Sequence, residues 1–208
     1  MHSEQQPDSL TADDWNKHQG RRNQGKAAVI SGRGFEGELE HTHDLYRQRG
    51  RADIYRLPVF TQPAPRTWLA DPRKFGVVRI LAEQQRTDYA GTLGGVHRGR
   101  SIVMEAKSSV DRQASLAILR PDQKGGGVKL HQLSAIVHGW RNFGTMGCIV
   151  WKNGIERLIF LPPVLTWAFD EFRLGRVRRL QSADGKPYVR GEMGIEDWLT
   201  PAVEFLGK

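Results

Sequence analysis

The sequence has a single cysteine, Cys148, among 208 residues. That excludes an intramolecular disulfide framework and any Cys-cluster zinc site, and makes a reducing, intracellular compartment the simplest reading. Cys148 lies in the apolar run Gly147-Cys148-Ile149-Val150-Trp151, so it reads as a packing residue rather than a nucleophile. Long hydrophobic runs are also missing. The longest mostly apolar stretch, residues 158–169, is broken by Pro162 and Pro163 and is too short to span a bilayer. The first residues, MHSEQQPDS, are polar and do not read as a secretory signal. No internal repeat and no long low-complexity segment stands out. Acidic residues are the minority, 23 against 31 Lys and Arg, which leaves a net charge of +8. A basic surface of this kind calls for an anionic partner, with nucleic acid first and an anionic membrane second. With 38% hydrophobic and 26% charged residues, a wholly disordered chain is excluded, and the length suits one domain with an arm or insertion.

Apolar spacing gives the elements. Residues 1–26 lack periodicity and read as a mobile arm with a basic end, Gly20-Arg21-Arg22-Asn23-Gln24-Gly25-Lys26, which leaves 27–208 as a single domain. A helix is expected from about Gly34 to Gln48, on the stripe Phe35, Leu39 and Leu45-Tyr46, and a strand over 52–60. His41 and His43, two apart on that helix, do not share a face and read as a solvated pair. Between Arg56 and Arg86 six positive residues (Arg56, Arg66, Arg73, Lys74, Arg79, Arg86) face two negative ones, so about half of the charge excess sits in one Pro-interrupted stretch. Residues 87–107 read as a hairpin around a Gly-rich turn, and 108–127 as loop. Leu130, Leu133, Val137 and Trp140 predict an amphipathic helix over 131–142, with Gln132 off its apolar stripe. Asn153-Gly154 between two apolar runs predicts a second hairpin, followed by helices over 162–172 and 195–206. Trp140, Trp151 and Trp167 lie on apolar faces and are expected in the core. The order points to an α/β or α+β fold built on one mixed sheet.

The residues that carry chemistry are Asp88, Glu105 and Lys107. Alternate side chains of a strand share a face, so Glu105 and Lys107 project together while Met104 and Ala106 enter the opposite layer. Asp88 opens the partner strand of the hairpin, which brings the two carboxylates together. Hydrolysing a phosphodiester means attacking an anion with water, and hard divalent cations held by carboxylates with open positions assist that attack. A neighbouring lysine orients the water and offsets developing charge. Two acids and a lysine on adjacent strands are a minimal metal-nuclease set. The same residues also fit a solvated strand face followed by a turn.

Four motifs in order extend this reading: Gly32-Arg33-Gly34-Phe35-Glu36, Thr87-Asp88-Tyr89-Ala90-Gly91, Met104-Glu105-Ala106-Lys107 and His131-Gln132. Together they resemble the RecU family of Holliday junction resolvases, over roughly residues 31–162. Arg56-Leu57-Pro58 resembles the family's Lys-Pro position, and Met104 stands where the family has Phe. The resemblance implies a restriction-endonuclease-like core, α/β with a mixed central sheet flanked by helices, and a projecting basic stalk at about 61–86. It implies a Mg²⁺-dependent homodimer, with Mn²⁺ as a substitute metal, that cleaves four-way DNA junctions in the cytoplasm of a bacterium or a phage-infected cell, with no membrane partner. Asp88 and Glu105 become metal ligands, Lys107 positions the water, and Glu36, Gln132 and Thr87 support the site. Candidate DNA-binding residues are Arg66, Arg73, Lys74, Arg79 and Arg86 of the insertion and Arg176, Arg178 and Arg179 near the C-terminus. Trp68 and Phe75 of the insertion suit stacking on bases or contact with a dimer partner. A nuclease of the same fold acting on other duplex or branched DNA, or a junction-binding protein without catalysis, are the alternatives.

Overall fold

The computed structural model describes residues 34–57, 61–63, 77–79, 87–120, 122–123, 125–191 and 194–207. The N-terminal arm lies outside them, as does most of the basic insertion with Trp68 and Phe75.

Helix α1 covers 34–48 and buries Phe35, Leu39, Leu45 and Tyr46, the stripe expected of it. A tight turn through Gly50, at φ +65°, leads into β1 (Ala52–Arg56), and residues 58–60 of the expected strand lie outside the described residues. Strands β2 (Thr61–Pro63) and β3 (Val77–Arg79) pair antiparallel within the insertion. The expected hairpin is present as β4 (Tyr89–Leu93) and β5 (Ser101–Ser109). Residues 108–127 are not a loop: β6 (Ser115–Leu119) runs through them and pairs with β7 (Gly127–Lys129). Helix α2 (Leu130–Phe143), β8 (Met146–Asn153), β9 (Glu156–Phe160) and α3 (Pro162–Arg173) follow closely where apolar spacing puts them. The β8–β9 turn falls on Gly154-Ile155, with Asn153 paired to Glu156 as the last rung. Strands β10 (Arg179–Gln181) and β11 (Lys186–Pro187) precede α4 (Leu199–Leu206), which begins four residues later than expected.

A six-stranded mixed sheet of order β1-β4-β5-β8-β9-β11 organises these elements, with β5 and β8 parallel and the other pairs antiparallel. One sheet was expected; a second, of order β10-β6-β7, joins it. Its strand β10 follows β6 by about sixty residues, so no local pattern announces that pairing.

Side chains of β8 alternate between two apolar clusters. Met146, Cys148 and Val150 join α1, α4 and one face of the sheet, while Ile149 and Trp151 join α2, α3 and the second sheet. A Cβ at Gly147 would stand 2.5 Å from Ile136 Cγ2, so glycine is what lets α2 lie this close to β8. Of the three tryptophans expected inside, Trp151 is buried, Trp140 is half-buried against Phe205, and Trp167 is half-exposed on α3. The histidines of α1 are not a solvated pair: His41 is exposed, but His43 is buried edge-on against Tyr89 and Trp198. Among the described residues no helix is long and apolar enough to cross a membrane.

Candidate active site

The β4–β5 register pairs Tyr89 with Met104, and one step further along the same ladder Asp88 stands across from Glu105. Asp88 is fixed there at both ends. Its carbonyl accepts from Leu57 N–H at 2.8 Å, and its Oδ2 accepts from the Ala106 amide at 3.0 Å. A Cβ at Gly91 would meet the Asp53 carbonyl oxygen at 2.0 Å, so β1 crosses β4 at a point where the motif supplies glycine. Met104 and Ala106 pack in the α1 layer, which leaves Glu105 and Lys107 on the α2 side as strand alternation requires.

Helix α2 completes the arrangement. Gln132, in its first turn, accepts from the Lys129 amide at 2.9 Å through Oε1 and donates from Nε2 to Glu105 Oε1 at 2.5 Å. One side chain thus caps the helix and ties it to β5. Lys107 Nζ also donates to Glu105 Oε1.

Glu105 is fully buried, and its Oε2 has no hydrogen-bond partner among the described residues. Burial pushes its carboxyl up to about 8; Lys107 opposes the shift and the Asp88 carboxylate adds to it. Two acids face each other with one ammonium between them and the solvent, so the pocket is short of positive charge. Among the described residues no group of three or more His, Cys, Asp or Glu side chains is placed to hold a metal. The donor set is therefore two carboxylates. Mg²⁺ is commonly held by one or two carboxylates, with the rest of its shell left to water and phosphate, so the set fits a hard divalent cation.

The supporting residues divide. Gln132 is in the site. Thr87 is buried, but its hydroxyl donates to Tyr89 O at 3.2 Å and serves the turn. Glu36 is held by Arg56 at 2.6 Å, and Arg56 also reaches Glu40 at 3.2 Å. Tyr89 lies between these groups. Its hydroxyl is raised by burial first, with Arg56 opposing and Glu40, Glu36 and Asp88 adding.

Arg66, Arg73, Lys74 and Arg86 fall outside the described residues, and Arg79 ends β3 opposite Thr61. Arg176 is bound to Glu171 through two hydrogen bonds of 2.5 and 2.6 Å. Arg178 and Arg179 are exposed. His131, which precedes Gln132 in the fourth motif, lies in the first turn of α2. The His131 imidazole is lowered by partial burial first, with Lys129 and Lys107 adding to the shift.

Beside Lys107 opens a cleft of about 460 Å³, bordered by Ser109, Gln113, Gly127, Trp151 and Arg179. Buried Asn153 shapes its wall: Oδ1 accepts from Gln113 N–H at 2.6 Å and from the Ser109 hydroxyl at 3.1 Å, and Nδ2 donates to Gln113 O at 2.8 Å. The asparagine that marks a hairpin in the sequence thus pins the end of β5 and the loop that follows it. No protein-family model matches the chain, and no curated protein matches it.

Proposed function

We propose that the chain is a Mg²⁺-dependent DNA endonuclease that resolves four-way junctions by paired nicks, with Mn²⁺ as a substitute metal. The reading includes a restriction-endonuclease-like core, a stalk at about 61–86, and a homodimer whose two sites match the two strands to be cut. The observation that carries it is the buried Glu105 carboxylate, whose Oε2 is unpartnered while Oε1 is held by Lys107 and Gln132 and Asp88 stands opposite. The four ordered motifs and the net charge of +8 support DNA as substrate.

Asp88 and Glu105 would hold the cation, which supplies positive charge to the phosphodiester and to its more crowded anionic transition state. Lys107 Nζ, anchored on Glu105 Oε1, orients a water in line with the leaving 3′ oxygen, so the product carries a 5′ phosphate. Gln132 keeps the Glu105 carboxylate in one plane.

The test is cleavage of a synthetic four-way junction beside a matched duplex and a flap. Symmetric, Mg²⁺-dependent cuts in the junction are expected. Preferential cutting of the duplex overturns junction resolution, and binding without any cutting overturns the enzyme.

A further inference from the structure

Arg176, Arg178 and Arg179 look alike in the sequence and stand in different circumstances in the fold. Arg176 is neutralised by Glu171. Arg178 and Arg179 have no ion pair among the described residues, and neither has Arg120 at the end of β6. Asp122, on the turn after Arg120, pairs with none of the three.

These arginines are held by backbone structure. Leu180 is fully buried and anchors β10, Arg179 pairs with Ala117 of β6, and the Arg178 carbonyl accepts from Ile118 N–H at 2.9 Å. The Arg120 amide donates to Gln123 Oε1 at 2.9 Å, and Gln123 N–H returns to Arg120 O at 3.0 Å. The three arginines line a cleft of about 380 Å³ together with Ile118, Leu119 and Phe172. Arg179 also borders the Lys107 cleft. Arg179 thus lines both clefts, and basic side chains run along their linings from Lys107 through Arg179 to Arg178 and Arg120.

We infer that this track binds the phosphodiester backbone of DNA flanking the phosphate to be cut. Unneutralised, planar guanidinium groups along a groove match successive backbone phosphates. A small anion would need one such group, whereas a continuous strand uses all three. The identity of the strand as the one being cut rests on the nuclease reading above, but the binding prediction is read separately from cleavage.

The experiment measures affinity of the full chain for a labelled four-way junction and a matched duplex, with Ca²⁺ in place of Mg²⁺, as KCl rises. Each lost phosphate contact lowers the slope of log affinity against log salt by about 0.9. Arg179→Gln and Arg120→Gln should each lower it by about 1, and the Arg178→Gln/Arg179→Gln pair by about 2, with affinity falling about 10-fold or more. Arg176→Gln removes the same formal charge as Arg179→Gln and should leave the slope unchanged. Thermal melts confirm that these exposed substitutions leave the fold intact. An unchanged slope in the double variant overturns the track, as does an equal loss in Arg176→Gln. If the slopes behave as stated and no variant or parent cuts DNA, the track stands and the nuclease reading fails. If the parent cuts and the slopes do not change, the reverse holds. In a cutting enzyme the double variant should raise KM and spare kcat.

Discussion

Glu105 and Glu196 are both fully buried carboxylates, in opposite surroundings. Glu196 meets Arg157 Nε at 2.9 Å through Oε2, and its Oε1, without a hydrogen bond, lies 3.6 Å from Arg190 Nε. Its backbone is held by the Thr42 hydroxyl and by Tyr46 Oη. Glu38, shared among Lys152, Arg157 and Arg190, completes a network richer in cations than in anions. Glu105 has one lysine, an unpartnered oxygen and a second carboxylate opposite. A buried acid matched by cations holds structure together. A buried acid matched by another acid has the charge a cation would offset, as the proposed function requires.

That contrast can be broken at either end. Replacing an acid of the cation seat should act on chemistry. Asp88→Asn and Glu105→Gln should each lower cleavage by about 1,000-fold or more, the loss of several kcal/mol of transition-state stabilisation. DNA binding should persist. Mg²⁺ should raise the melting temperature of the parent and not of Glu105→Gln; an equal rise in both would remove the site. Replacing the matched acid should act on the fold. Glu196→Gln leaves Arg157, only 11% exposed, without its main partner, and should destabilise by about 3–5 kcal/mol in denaturant unfolding. Residual folded molecules should cut at the parental rate. A stability loss larger for Glu105→Gln than for Glu196→Gln would reverse the comparison.

A third buried titratable group sharpens it. Burial lowers His43 from 6.5 to about 4; Asp44 opposes this and Arg47 adds to it, and Nε2 has no partner. Because the folded value is depressed, the unfolded chain binds the proton first as pH falls. Stability is then lost between about pH 6.5 and pH 4, by about 3 kcal/mol in total, and does not change further below that window on this group's account. The difference between parent and His43→Gln across that window measures it, and parallel curves would show that His43 contributes nothing. The smallest expected effect lies in the cleft wall. Asn153→Ala strips partners from Gln113 and Ser109 and should cost about 2 kcal/mol of stability, with a weaker effect on the catalytic strand than either acid substitution. Melting temperature and cleavage rate of one preparation read both.

Part of the site was legible because its signals are local. The apolar run Ile102-Val103-Met104 ending in two charges, and a glycine turn behind it, sufficed to place Asp88 across from Glu105. Leu133 and Val137 marked α2, and Gln132 fell off their stripe toward the strands. Other features depend on partners distant in sequence. The strand at Ser115–Leu119 carries little turn chemistry of its own and is a strand because residues 127–129 and 179–181 reach it. Glu36 ends a family-like motif, and its hydrogen-bond partner is Arg56, twenty residues on. His43 carries the same letter as exposed His41 and differs by the helix face it occupies.

The order of residues by itself determined the alternation that puts Glu105 and Lys107 on one face, the helical stripe of α2, the two hairpins and the excess of positive charge. These follow from periodicity and composition, which are properties of a short window. Tertiary structure decided which charges are neutralised: Arg176 by Glu171, Glu196 by Arg157, and Glu105 by one lysine against the facing carboxylate of Asp88. Electrostatic energy depends on separation and burial in space, and neither is written in the spacing of residues along the chain.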